Sequence, residues 1–279
     1  MNRRAAGWMY IPLLLWAAFV IAPIWWMVVT SLKDLMAVTN GPTFLPFIDF
    51  QPTLSAWHDA FLGDQTVWLP LRNSLIIGII STTLAVILGT LAAYGLARYR
   101  LKAGPMRNND IMFWIISQSM MPPIVTALAF FFLFKQFHLL DTQLGMILVY
   151  MVFNLPLVVW FMHSFINQVP IALEEAAVID GCSRLQVLSR VVLPVAVPGL
   201  VATWLLAFSF AWNEFLFAVI LTFNKATTLP VLIQAQQTER GTAWWAISSI
   251  GLVSIVPMIV FAIILQRRIV TGLLGGSER

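Results

Sequence analysis

Residues 71–97 read LRNSLIIGIISTTLAVILGTLAAYGLA, and this run decides the fold. A helix needs about 20 mostly apolar residues to cross a bilayer core about 30 Å thick. Five further segments meet that requirement, so the spans are expected at Met9 to Ser31, Leu71 to Ala97, Ile111 to Phe134, Leu144 to Phe165, Val191 to Thr222 and Trp244 to Leu265. The predicted fold is all-α and polytopic, with six transmembrane helices in a single membrane domain over residues 1–279. The fifth span holds Pro194 and Pro198 and is expected to start in the interface with a bend.

Composition agrees. Hydrophobic residues make up 60% of the 279 and charged ones 10%, with mean hydropathy +0.87, against roughly 45–50% and about 25% in ordinary globular domains. So few polar side chains cannot coat a globule of this size, which makes lipid the partner of the apolar surface. This excludes a soluble enzyme, a secreted disulfide scaffold and a disordered tail. It also excludes a transmembrane β-barrel, whose strands alternate apolar and polar residues. Cys182 is the only cysteine, so no internal disulfide and no cysteine-based metal site can form. The net charge is +4 without a basic run interleaved with aromatics, and no nucleic-acid partner is expected.

Lys and Arg in the loops set the orientation. With a cytoplasmic N-terminus, eleven lie inside: Arg3, Arg4; Arg98, Arg100, Lys102, Arg107; Arg184, Arg190; Arg267, Arg268, Arg279. Five lie outside: Lys33, Arg72, Lys135, Lys225 and Arg240. Both termini are therefore expected in the cytoplasm. The first span follows Arg3 and Arg4 but is too long for a signal peptide and lacks a small-x-small cleavage site before Lys33. In the outer loop after it, Thr53 is positioned to cap a short helix bearing Leu54, Trp57 and Phe61 on one side. That helix either lies on the membrane surface or packs on the protein's own spans. Trp8, Trp25, Trp26, Trp68, Trp244 and Trp245 near span ends read as interfacial anchors.

Glu214 is the only acidic residue well inside a span, thin support for an ion-driven carrier. His58, His138 and His163 form no His-Glu-x-x-His motif, and no paired aspartates serve an intramembrane protease. An intramembrane enzyme is thus the distant alternative. No Gly-x-x-x-x-Gly-Lys-Ser/Thr loop is present, so energy for uphill movement must come from another chain, acting on a cytoplasmic surface.

The segment at about 168–190, between spans four and five, reads QVPIALEEAAVIDGCSRLQVLSR. Pro170 suits a helix start, Ile171 to Asp180 is rich in helix formers, and Gly181 can take the left-handed conformation that ends a helix. Ser183 with Gln186 three residues on forms a capping-box pattern for a second short helix. Glu174 and Glu175 fall in an early turn, where the helix dipole favours negative charge. Leu173, Ala176, Ala177 and Asp180 share approximately one side, so two adjacent alanines would offer a shallow docking surface with Glu175 beside it for a partner arginine. A solvated amphipathic connector is the plain alternative.

Glu175-Ala176-Ala177, three residues, Gly181, nine residues and then Val191-Val192-Leu193-Pro194 resembles the EAA loop of ATP-binding-cassette importer permeases, which reads Glu-Ala-Ala, three, Gly, nine, Ile-x-Leu-Pro. Val191 stands in place of Ile, and Cys182 where Ala is common. Pro23 to Lys33, Ala211 to Ala218 and Gln266 to Leu273 resemble the sugar-importer branch of that family, in particular permeases of the maltose type. The tail Gly275-Gly276-Ser277 is similar to tails that reach between the ATPase subunits.

The resemblance implies a location in the bacterial inner membrane. It implies a pathway shared with a second permease subunit, two ATPase subunits beneath and an extracytoplasmic solute-binding protein. No cofactor is implied for this chain, ATP and magnesium residing on the ATPases. Glu174, Glu175, Ala176, Ala177, Asp180, Gly181, Leu193 and Pro194 are the implied coupling residues, with Glu175 pairing to a basic ATPase residue. The implied cargo is a sugar or sugar derivative, with a polyol or glycerol phosphoester as the alternative.

Gln118, Asn154, Trp212, Asn213 and Glu214 are the candidates for the substrate pathway, near Pro122, Pro123 and Pro156, which would interrupt helices. Hydrogen bonding between spans is the competing role for these polar groups. Gly89, Ala92, Ala93 and Gly95 are expected to allow close helix packing.

Overall fold

Prolines and loop caps divide the chain into helices. In the computed structural model, which describes residues 3–39, 41, 43–63, 66–238 and 241–274, these are α1 (Arg3–Ser31), α2 (Leu35–Thr39), α3 (Ser55–Leu62), α4 (Trp68–Arg98), α5 (Asn108–Ser117), α6 (Pro123–Gln136), α7 (Gln143–Asn167), α8 (Ile171–Ile179), α9 (Arg184–Val187), α10 (Leu193–Trp212), α11 (Leu216–Leu221), α12 (Leu229–Ala235) and α13 (Trp244–Leu274). Two-residue strands pair antiparallel, β1 (Lys102–Ala103) with β2 (Met106–Arg107) and β3 (Gln237–Thr238) with β4 (Gly241–Thr242). The tail Gly275 to Ser277 lies outside the described residues.

Among the described residues, five helical stretches are long and apolar enough to cross a membrane: Tyr10–Ser31, Trp68–Arg98, Gln143–Asn167, Arg184–Trp212 and Trp244–Gln266. The sixth expected span is not one straight helix. Asn108–Met120 and Pro123–Gln136 meet at 87°, because Met121 and Pro122 are extended (ψ 132° and 122°). Each precedes a proline, whose ring disfavours the helical conformation of the residue before it. The fifth span also differs from the expected Val191 to Thr222. It ends at Trp212, and Leu216–Leu221 forms the separate α11. Pro156, expected to break a helix, is accommodated inside continuous α7.

The chain separates into two compact units. In the first, Met1–Leu71 with Leu229–Pro257, α3 packs on the protein: Ala56 and Ala60 are buried and the Trp57 indole N–H donates to Ser31 Oγ at 3.2 Å. Thr53 Oγ1 accepts the Ser55 N–H at 3.1 Å. Lys33 Nζ donates to the Thr43 carbonyl at 2.7 Å and lies 4.8 Å from the centre of the Trp26 ring.

In the second unit, Arg72–Thr228 with Met258–Arg279, the core joins α4, α7 and α10 through residues such as Ala93, Val158, Met162, Ala196 and Ala207. A Cβ on Gly89 would stand 2.6 Å from Val158 Cγ1, so Gly89 and buried Ala93 permit the close approach expected of them. No described residue outside its own helical turn lies within 4 Å of such a Cβ on Gly95, and Ala92 is exposed, so these two do not.

One end of this unit is closed by a clamp the sequence did not suggest. Asp141, with φ +55°, receives the backbone N–H groups of Phe223, Asn224, Lys225 and Ala226 at 3.0–3.2 Å. Asn73, fully buried, donates to the carbonyls of Lys225 and Thr227 at 2.9 Å and accepts from Gln143 at 2.7 Å. Burial pushes the Asp141 pKa up, but the four N–H groups outweigh it and hold the carboxyl below its usual range. Its stabilisation is therefore present above the unfolded pKa of about 3.9 and is lost as pH falls through the lower folded value. Asp141→Asn is expected to lower the thermal midpoint of the detergent-extracted protein by roughly 2–4 °C at pH 7, as for about 1 kcal/mol at a partly exposed site. The gap should close below about pH 4. An Asp141→Asn midpoint equal to that of the unsubstituted chain at pH 5 to 8 would deny the clamp.

Candidate functional site

Local chemistry shapes residues 168–190 as expected at its turns. α8 begins after Pro170, with φ −60°. It ends in a two-bond cap around Gly181, at φ +86°: the Gly181 N–H reaches the Val178 carbonyl and the Cys182 N–H the Ala177 carbonyl, both at 3.0 Å. The Ser183 N–H then donates to Gln186 Oε1 at 2.7 Å, starting α9. The second helix is not an independent short piece. After one turn it passes through a π-helical stretch, Leu188–Val192, into α10. Val187, Leu188 and Val192 are buried, rooting the segment in the core.

The two neighbouring glutamates go opposite ways, because successive helical residues point about 100° apart. Glu175 is exposed, with no hydrogen bond or ion pair among the described residues. Glu174 is buried, and its Oε1 accepts from Arg98 Nε at 2.6 Å, the two side chains being only 8% and 9% exposed. The Tyr94 hydroxyl donates to Glu174 Oε2 at 3.0 Å. Arg98 Nη2 also donates to the Ile166 and Val169 carbonyls at 2.8 and 2.9 Å. Glu174 is thus unavailable as a surface charge.

Of the four residues expected on one face, Leu173, Ala176 and Asp180 are exposed. Ala177 is half-buried against the chain's own core, since its phase follows Glu174. Of the adjacent pair, only Ala176 therefore reaches the outer surface, which gains Ile179 (86% exposed) and Leu185 (73%), residues the alanine-centred pattern passed over. Leu193 is half-buried on the core, and Pro194 is exposed in the first turn of α10.

The candidate pathway residues divide. Asn154, Asn213 and Glu214 border one cavity of 470 Å³ with Tyr150 and Ser209. Gln118 borders a separate one of 190 Å³, beside the α5–α6 break. Trp212 is buried at 5.5 Å from the Phe208 ring. Most polar groups at the larger cavity are used internally. The Glu214 carboxylate receives the Phe217 and Ala218 N–H groups at 2.8 and 3.2 Å, capping α11. Asn213 donates to the Ser209 carbonyl at 2.8 Å, and the Tyr150 hydroxyl to the Glu214 carbonyl at 3.3 Å. Among the described residues no three of His, Cys, Asp and Glu converge on a metal site.

Long apolar helices, with a capped helix–turn–helix between two of them, define a multi-pass membrane protein, and comparison with known proteins says of which class. The family described as binding-protein-dependent transport system inner membrane component matches residues 85–273, and the chain belongs to it. It is 38% identical over 256 residues to the sulfoquinovosyl glycerol transport system permease protein SmoH of Agrobacterium fabrum, covering 91% of this chain and 87% of that one. It is 35% identical over 282 residues to the trehalose transport system permease protein SugB of Mycobacterium tuberculosis, covering 99% and 98%. Among solved structures, a chain of a bacterial ABC transporter involved in the import of the acidic polysaccharide alginate shares the fold, with TM-score 0.70 and 24% identity over 96% of this chain and 98% of that one.

Proposed function

We propose that this chain forms half of the membrane pathway of an ATP-driven, binding-protein-dependent importer for a sugar or sugar derivative. A second permease subunit completes the pathway, and two ATPase subunits dock on its cytoplasmic side. Both termini lie in the cytoplasm, as the excess of Lys and Arg in those loops favours.

The observation that carries the reading is the outer face of α8. Glu175, Ala176, Ile179 and Asp180 are exposed on a helix whose other side is locked to the bundle. An apolar knob beside an unpaired carboxylate suits a cleft with a basic rim, and the Gly181 turn sets the angle at which it is presented. ATP is bound and hydrolysed on the partners; this chain's residues receive the motion and pass it to the spans. The sugar class rests on the relatives' substrates. The cavity at Asn154, Asn213 and Glu214 falls within the usual size of small-molecule sites, about 300–1,000 Å³, and is the place where a solute would touch this chain.

The test is purification of the tagged chain from membranes that also express its neighbouring genes. An ATPase subunit and a second permease are expected to co-elute. Their ATP hydrolysis should rise severalfold with the binding protein loaded with trehalose or sulfoquinovosyl glycerol. Stimulation by glycerol phosphoesters alone would reassign the cargo, and absence of any co-eluting ATPase would overturn the reading.

A further inference from the structure

We propose that Arg98, Glu174 and Tyr94 form the joint through which movement of α8 is imposed on α4 and α7, making them positioning residues for transport. This rests on α8 being the ATPase-docking helix and says how its displacement reaches the spans.

The inner face of α8 is small. Glu174 is its buried residue and Ala177 its half-buried one. An alanine contact alone has little to resist sliding. The Glu174 carboxylate is instead held at both oxygens by α4, by Tyr94 and Arg98 one helical turn apart. The same guanidinium takes the Ile166 and Val169 carbonyls where α7 ends. Three elements therefore meet in one planar, directional group, whose fork geometry fixes orientation as well as distance. Burial shields the joint from salt and water. A buried ion pair is a poor choice for stability alone, since apolar replacements often do as well. Its position, at the root of the exposed face, suits transmission of a rigid-body shift.

The experiment uses the assembled complex with its co-purified ATPase, in a Cys182→Ser background. Spin labels are placed at Val178→Cys on α8 and Ile87→Cys on α4, both exposed. If the joint holds, the label distance stays the same between the nucleotide-free and the ATP–vanadate-trapped complex, because α8 and α4 move together. In Glu174→Gln, with the ATPase still bound, trapping should shift that distance by about 2 Å or more, and substrate moved per ATP should fall severalfold. An unchanged distance in Glu174→Gln overturns the joint and leaves the docking role of α8 standing. Failure of the unsubstituted chain to retain an ATPase overturns the docking role itself. If Glu174→Gln loses the ATPase, Arg98→Lys, which keeps the charge but not the fork, decides. Retention with a shifted distance supports the joint; loss again, or no shift, makes the cluster an assembly strut.

Discussion

Glu175→Lys is expected to leave the chain folded and inserted while cutting ATP-driven uptake at least about tenfold. The carboxylate is exposed and has no partner among the described residues, so its replacement should cost the fold no more than about 0.5 kcal/mol, as for other exposed sites. Against a basic ATPase surface the change replaces attraction by repulsion. Removing one member of a desolvated pair costs about 2–5 kcal/mol, and tenfold corresponds to about 1.4 kcal/mol. The check is solute uptake into membrane vesicles beside the amount of ATPase that co-purifies. Wild-type uptake with a full complement of ATPase would remove Glu175 from the docking surface. The neighbouring Glu174 should behave differently: neutralising it disturbs a buried pair, so its defect belongs inside the chain and should not respond to charge changes on the partner.

That contrast marks where the sequence stops being informative. Long apolar runs specify spans because lipid leaves the backbone no other way to satisfy its hydrogen bonds, and five of the six expected runs contain a helix long enough to cross. The break at Pro122-Pro123 was legible as a disturbance, but its 87° bend was not, since the angle depends on what α5 and α6 pack against. The end of α10 at Trp212 was hidden because apolar residues resume at Phe215, and only the Glu214 carboxylate, aimed at the Phe217 and Ala218 N–H groups, shows that a new helix begins there. Arg98 read as one more inside charge in the orientation count; its burial against a residue 76 positions away leaves no local trace. The Asp141 clamp closes over more than 80 positions and was equally invisible. The turns around α8 were readable because Gly181 and Ser183-Gln186 act through their own backbones.

Gly181→Val is expected to abolish transport more completely than substitutions on the exposed face, for a reason that only the backbone shows. Obstruction by the added side chain is the natural first explanation, yet among the described residues beyond its two chain neighbours a Cβ at Gly181 meets no atom within 4 Å. The conflict lies in φ +86°, a region that costs an L-residue about 1–2 kcal/mol and suits a β-branched one least. Relief of that strain would break the bonds from the Gly181 and Cys182 N–H groups to the Val178 and Ala177 carbonyls, which end α8 and aim its outer face. A graded series separates the two causes. If conformation rules, Gly181→Asn should keep the most uptake, because asparagine tolerates positive φ, with Gly181→Ala below it and Gly181→Val lowest. If the partner's cleft rules, uptake should follow side-chain volume and alanine should surpass asparagine. Uptake measured at equal membrane content decides between them, and the second order would move the origin of the defect from the α8 backbone to the surface it docks against.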